Sequence, residues 1–299
     1  MVLTTNKNPI FLLLMLAVGC GVFAFYGVEG ESRGHQLRVV SYNVGTLNGD
    51  KPSLGRIVAA IGGKGQPGLV LLQEVPDEAF LLSLGERLGL KHHAFGAYTA
   101  GGGGYGLGLL SERPLLNSEM HLLRPNGHAV LTAEMGMDGK RVLVCSVHLE
   151  RVKSVEKKKD GFHLPWEQAF QILKTELISE TPRSMAVDEI LSLVALKEKD
   201  EVIIGGDFNT IPFSTAIRGM GRRYDDALWP TTDYFTGTYI MVKFPFKPRI
   251  DYIFHSGGIR VGSAGVIRDG GGDHWPVWAE FGVKGRQRTD DRGRMTEDG

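Results

Sequence analysis

Glu201-Val202-Ile203-Ile204-Gly205-Gly206-Asp207-Phe208-Asn209 is an apolar, β-branched run that ends in a carboxylate and a carboxamide. It reads as a buried strand that carries two polar groups out at its end. In an extended segment side chains at i and i+2 share a face, so Asp207 and Asn209 point together while Phe208 packs beneath them. The same design recurs elsewhere. Arg38 to Val40 runs into Ser41-Tyr42-Asn43, Leu69 to Leu72 into Gln73-Glu74, and Val142 to Val147 into His148. A core that delivers several polar groups to one end is building a site.

Between these strands the periodicity changes to that of helices. Leu54, Ile57, Val58 and Ile61 fall at i, i+3, i+4 and i+7, with Ser53 placed to cap and Gly62-Gly63 to stop the helix. Further helices are expected over Asp77 to Leu88, Trp166 to Ile178 and Ser184 to Leu196. In the third, Trp166, Ala169, Phe170, Leu173 and Leu177 align on one face. Strand patterns at Tyr105 to Leu110, Ala129 to Met135 and Arg141 to Val147 predict an antiparallel meander, and Arg249 to Phe254, Ile259 to Val266 and Val277 to Phe281 add late strands. Interleaved α and β elements of this kind predict an α+β fold of two packed sheets flanked by helices. No internal repeat is visible.

Composition narrows the function classes. Lys plus Arg and Asp plus Glu both number 34, so the chain lacks the global positive field of a non-specific duplex-DNA binder. Cys20 and Cys145 are the only cysteines, which implies no disulfide framework. Residues 1–30 stand apart: Lys7 precedes an almost wholly apolar stretch, Ile10 to Tyr26, that suits a signal peptide or membrane anchor. Cleavage near Val22-Phe23-Ala24, lipidation at Cys20 and retention as a short spanning helix are its three possible fates. An exported or membrane-anchored protein is expected, with membrane association through residues 10–27. Residues 31–283 form one domain, expected to be monomeric, and the mixed-charge stretch 284–299 reads as a disordered tail.

The polar groups at predicted strand ends are Asn43, Glu74, His148, Asp207, Asn209, Asp251, Asp273 and His274. Carboxylates without any cysteine ligand point to Mg²⁺ or Mn²⁺ rather than structural zinc. Two histidines, one beside an Asp, supply general acid/base or phosphate-binding groups. Together they suit hydrolysis of a phosphate ester, in which a metal neutralises phosphoryl oxygens, an Asp orients or deprotonates water, and imidazolium and amide groups stabilise developing charge.

The order of these motifs resembles the endonuclease/exonuclease/phosphatase superfamily, which includes pancreatic deoxyribonuclease, apurinic endonucleases, neutral sphingomyelinases and inositol polyphosphate 5-phosphatases. The matching segments are Ser41-Tyr42-Asn43, Gln73-Glu74-Val75, Gly106-Leu107-Gly108-Leu109-Leu110-Ser111, Ser146-Val147-His148-Leu149, Gly206-Asp207-Phe208-Asn209-Thr210, Arg249-Ile250-Asp251-Tyr252-Ile253-Phe254 and Asp273-His274-Trp275-Pro276-Val277, in the family's order. The resemblance implies a four-layered α/β sandwich of two mixed, mostly antiparallel sheets, with the site at one edge. It implies Glu74 as principal metal ligand with Asn43 beside it and Asp273 as a neighbouring ligand. His148 then contacts the scissile phosphate and Asp207 orients water or protonates the leaving group. Asn209 stabilises the transition state, His274 binds phosphate or acts as base, and Asp251 orients a histidine. Gly272 departs from the family's Ser at that place, which removes a hydroxyl and eases the turn.

Three further stretches bear on function. Gly101 to Gly106 formally satisfies G-x-G-x-x-G but leads into a strand, so it reads as a loop, not a dinucleotide site. Arg151, Lys153 and Lys157-Lys158-Lys159 follow His148, either as positive charge beside the site or as a solvated loop offset by Glu150, Glu156 and Asp160. Trp229, Tyr234, Phe235, Tyr239, Ile240, Met241, Phe244 and Phe246 read either as a membrane-dipping hairpin or as core plus a substrate wall. The expectation is a metal-dependent phosphodiesterase or nuclease acting on nucleic acid or another phosphodiester. The alternatives are a phospholipid or sphingolipid phosphodiesterase or a phosphatase. A non-catalytic binding protein of the same fold is disfavoured by the completeness of the polar set.

Overall fold

The computed structural model describes residues 36–45, 53–100, 103–124, 128–152, 165–229, 231–240 and 247–283, and short strand pairs at 157–158 with 161–162 and 288–289 with 295–296. Residues 1–30, Lys153, Lys159, Met241, Phe244, Phe246 and most of the 284–299 tail lie outside the described residues. The chain opens with β1 (Leu37–Asn43), α1 (Leu54–Gly62), β2 (Leu69–Val75), α2 (Glu78–Leu88), β3 (His92–Ala100) and β4 (Gly103–Ser111). It continues through β5 (Leu116–Leu123), β6 (His128–Met137), β7 (Lys140–His148), α3 (Trp166–Ile178), α4 (Pro182–Leu196) and β8 (Glu201–Asp207). The short α5 (Thr215–Met220) and β9 (Asp225–Asp226) lead to β10 (Asp251–His255), β11 (Ile259–Val266) and β12 (Val277–Val283).

These strands form two six-stranded sheets, ordered β11-β12-β1-β2-β4-β3 and β9-β10-β8-β7-β6-β5. Each sheet is antiparallel except at its centre, where β1 runs parallel to β2 and β8 parallel to β7. The predicted meander is therefore corrected: Tyr105 to Leu110 belongs to the first sheet, whereas β6 and β7 belong to the second. The sequence misses β3 because Gly96 and its histidines dilute the apolar pattern. It misses β5 because this edge strand is mostly exposed and only half apolar.

The central strands of both sheets are buried on both faces, which explains the unbroken apolar runs. Val39, Leu71 and Leu109 from the first sheet meet Leu131, Val144 and Ile203 from the second in the inter-sheet core. On the far side of the first sheet, Val40, Val70 and Leu72 pack on Ile57 and Ile61 of α1 and Leu81 and Leu84 of α2. Behind the second, Leu143, Ile204 and Phe254 pack on Val187, Ile190 and Val194 of α4. The order helix, sheet, sheet, helix is the expected four-layered sandwich. Each fully buried Leu or Ile contributes about 1.5–3 kcal/mol, so the inter-sheet core sets the rigidity of the edge it supports.

The helices end where their capping chemistry dictates. Ser53 caps α1 and Asp77 caps α2, the latter accepting from Phe80 N at 2.7 Å. Helix α4 starts earlier than its periodicity suggests because Thr181 and Ser184 form a capping box with Pro182 in the first turn. Helix α3 also departs from expectation: Phe170 and Leu173 remain 44% and 39% exposed, and its most buried described side chain is Glu176. Arg183 pairs with Glu176 through Nε at 3.3 Å and through Nη2, and the Thr210 hydroxyl donates to the same carboxylate.

Candidate active site

Strand register decides which side chains meet. In the parallel pair of the first sheet Asn43 lies opposite Gln73, which places Glu74 one residue further at the rim. In the second sheet Asp207 lies opposite both His148 and Asp251. The C-terminal ends of the two central parallel pairs thus face each other across the sandwich. The polar residues are joined there: Asn43 Nδ2 donates to Asp207 Oδ2 at 3.1 Å and to Glu74 Oε1 at 3.3 Å. Two more links cross between the sheets, Gln73 Nε2 to Ser146 Oγ at 3.0 Å and Tyr98 Oη with His148 Nδ1 at 2.5 Å.

Asp207 is the centre of the constellation and is 1% exposed. Its Oδ1 accepts from Asn209 N at 2.8 Å and its Oδ2 from Asn209 Nδ2 at 3.2 Å. The Asn209 amide also donates to Leu149 O at 2.8 Å. Asn209 takes a left-handed φ of 49°, a conformation that asparagine tolerates better than most residues, and this turns its amide back toward the strand end. His148 Nε2 lies 3.6 Å and His274 Nε2 3.7 Å from Asp207 Oδ2. His274 Nδ1 is held by Asp251 at 2.9 Å, and Thr238 Oγ1 accepts from the backbone of Ile250 and Asp251 to anchor that carboxylate's strand.

The charges follow from these contacts. Burial works against the His274 cation, but Asp251 and Asp207 outweigh it and raise its pKa to about 10. Burial pushes Asp207 up to about 7, with Asp251 adding to the rise and His274 opposing it. Burial pushes His148 down to about 3, with Glu74 opposing the fall. Burial opposes ionisation of Glu74, yet His148, Arg151 and His274 together hold its carboxyl below the usual range. Asp273 is raised, first by burial, and its Oδ1 is buried with no hydrogen-bond partner among the described residues.

Every residue read from the sequence as a site residue sits in this cluster or borders it. The sequence did not single out Tyr98, Gly45, Thr238 or the role of Tyr239. A Cβ at Gly45 would lie 2.5 Å from Glu74 Oε2 and 3.0 Å from Asn43 Oδ1, so the chain is bare where those oxygens face out. The Tyr239 ring stacks at a tilt 4.9 Å from His274. Arg151 turns out to touch the site, with Nη2 2.8 Å from Glu74 Oε1. Of the aromatic run, Tyr234 is buried while Trp229 and Phe235 are exposed.

The donor set fits a hard divalent cation. Glu74 and Asn43 offer oxygens around the bare Gly45 position, and the orphaned buried Asp273 Oδ1 is an atom that a cation would satisfy. A second group, Asp207, Asp251 and His274, brings ligand atoms within 4.8 Å of one another. There an imidazole raised to about 10 is protonated at neutral pH. In that group His274 Nδ1 is engaged by Asp251 while its Nε2 faces Asp207 Oδ2 at 3.7 Å.

The match of a family model over residues 40–274 makes the chain a hydrolase of phosphoric esters. It is the model of the Endonuclease/Exonuclease/phosphatase family, to which the chain belongs. Solved structures with the same fold include an endonuclease/exonuclease/phosphatase from Beutenbergia cavernae DSM 12333, 20% identical, covering 84% of this chain and 72% of that one with a TM-score of 0.60. The human Nocturnin catalytic domain with bound sulfate anion is 17% identical over 83% of this chain and 94% of its own, with a TM-score of 0.57. D. rerio TDP2 complexed with single strand DNA product is 20% identical over 83% and 99%, with a TM-score of 0.55. No curated protein matches the chain significantly.

Proposed function

We propose that this enzyme is a divalent-metal-dependent phosphodiesterase whose substrate is nucleic acid. The observation that carries the reading is the convergence of Asp207 Oδ2 with two imidazole Nε2 atoms, at 3.6 and 3.7 Å, beside the Glu74 and Asn43 oxygens. Glu74, Asn43 and Asp273 would hold Mg²⁺ or Mn²⁺, which when bound neutralises charge on the phosphoryl oxygens. Asp207, raised to about 7, takes the proton from water as its oxygen bonds to phosphorus and the ester P–O bond breaks, the departing alkoxide taking its proton from solvent. The His274 imidazolium, oriented by Asp251, donates to a non-bridging oxygen and His148 Nε2 donates from the other side, while Asn209, whose N–H groups are engaged by Asp207 and Leu149 O, holds the Asp207 carboxylate in place. No covalent nucleophile is required. Arg151, set beside Glu74, supports a polyanionic substrate, and the solved TDP2 complex with DNA supports nucleic acid in a fold of this kind.

The apolar stretch from Ile10 to Tyr26 supports an exported or membrane-tethered location. The test is incubation of the full-length chain with supercoiled plasmid and Mg²⁺. Nicking that EDTA and His274→Ala both abolish is the expected result. Plasmid left intact, with hydrolysis of sphingomyelin or phosphatidylcholine vesicles instead, would replace nucleic acid by lipid as substrate.

A further inference from the structure

The two histidines flanking Asp207 present the same atom to it but are held from behind by different groups. His274 Nδ1 meets the Asp251 carboxylate at 2.9 Å, whereas His148 Nδ1 meets the Tyr98 phenol at 2.5 Å. A carboxylate only accepts, so it demands a proton on Nδ1. A phenol both donates and accepts, so the other end of the His148 ring decides the direction. His148 Nε2 faces two carboxylates, Glu74 Oε1 at 3.8 Å and Asp207 Oδ2 at 3.6 Å, and has no hydrogen-bond partner of its own among the described residues. A proton on Nε2 is attracted by both, whereas a lone pair there is repelled. The Nδ1 lone pair is then the acceptor and Tyr98 the donor.

We propose that Tyr98 is the positioning residue of the site: its hydroxyl donates to His148 Nδ1, fixes the Nε2–H tautomer, and aims that N–H toward Glu74 and Asp207, where a phosphoryl oxygen would bind. The proposal rests on the phosphodiesterase reading only for what the N–H is aimed at. Tyr98 is fit for this because it is 5% exposed, belongs to the inter-sheet core, and reaches across from β3 of one sheet to β7 of the other. The His128 ring packs edge-on against His148 with centroids 5.6 Å apart, which blocks ring rotation. The raised pKa of Tyr98, due first to burial, keeps its proton on the oxygen at any working pH. The phenol behind His148 and the carboxylate behind His274 thus leave Nε2 as the donor on either side of Asp207.

The test uses full-length protein with ¹⁵N-labelled histidine in EDTA, where two-bond ¹H–¹⁵N correlations distinguish the tautomers and His148→Gln assigns the signal. The wild type is expected to show Nε2 protonated and Nδ1 bare. In Tyr98→Phe the His148 signals move toward a mixture of tautomers. The kcat of that variant on bis(p-nitrophenyl) phosphate falls about 10–100-fold with KM within about twofold, as for loss of an orienting outer partner. A wild-type Nδ1–H tautomer overturns the proposal even if the variant fails to fold. An unchanged tautomer and kcat in a folded variant overturn it equally. If the wild type shows the Nε2–H tautomer but hydrolyses no phosphodiester, the positioning stands and the reading of function falls.

Discussion

Asp251 and His274 form a buried pair whose value depends on pH in a direction that can be derived. A histidine whose folded pKa is raised above 6.5 contributes stability that is complete below 6.5 and is lost as the pH climbs through about 10. Asp251→Asn removes the leading cause of the rise. In EDTA its cost relative to wild type is expected to be about 3–5 kcal/mol at pH 6 and to shrink steadily toward pH 10. Thermal melts across that range measure it, and a cost that is flat or grows with pH would contradict the assignment of the proton to His274. Glu74 tests the other half of the site. Glu74→Gln keeps the shape and removes the charge, and its partner Arg151 is exposed enough to be solvated, so the fold should persist. Mn²⁺ affinity by calorimetry is expected to drop by at least about 100-fold, since outer partners alone cost roughly 10–100-fold. These residues were legible in the chain because each ends an apolar strand or follows a recognisable motif. Tyr98 was not legible: it lies in a strand with a weak pattern, and its partner His148 is in the other sheet, so nothing local marks it.

At the scale of the element, the junction of β8 and β7 is the most demanding. Gly206 sits one residue before Asp207 at a φ of 158°, and a Cβ there would lie 1.9 Å from Val147 O and 2.7 Å from Val147 C. These are backbone atoms of the paired strand that precede His148, so no side-chain movement relieves the clash. Gly206→Ala is expected to destabilise by about 3 kcal/mol or more, measured as the urea midpoint, and to separate Asp207 from His148. Gly136, where an added Cβ meets nothing within 4 Å, is the control, and equal losses at both positions would remove the steric explanation. Elements with a strong period and a cap, such as α1 and α2, were legible in place and type. The split of the middle strands between two sheets was not, because the hydrophobic pattern of a strand buried on both faces is the same in either sheet. The exposed Phe170 and Leu173 of α3 show the complementary failure: alignment of apolar side chains marks a face without marking what covers it.

For the whole molecule, strand direction decides which edge of the described sandwich carries the site. Strand β1 runs from Leu37 to Asn43, so it enters at the edge remote from the site and spans about 20 Å before delivering Asn43. Strand β12 runs from Val277, opposite Ser41, to Phe281, opposite Leu37, and leaves by the same remote edge. The two sheets share one order, a parallel pair at the centre with antiparallel neighbours on either side, although no repeat is visible in the sequence. Packing such sheets face to face brings the C-terminal ends of both parallel pairs together, so the site is a product of the whole sandwich and of no single segment. Rigidity of the seam should therefore be shared, and the attached ends should matter little to it. Removal of residues 1–30 is expected to leave kcat on bis(p-nitrophenyl) phosphate within about twofold and the Tm nearly unchanged, because the described core supplies every polar contact named at the site. Steady-state kinetics and a melt of the shortened chain decide this. A fall in kcat beyond tenfold with an unchanged Tm would show that the leading segment reaches the site. A fall in both would show instead that it completes the fold.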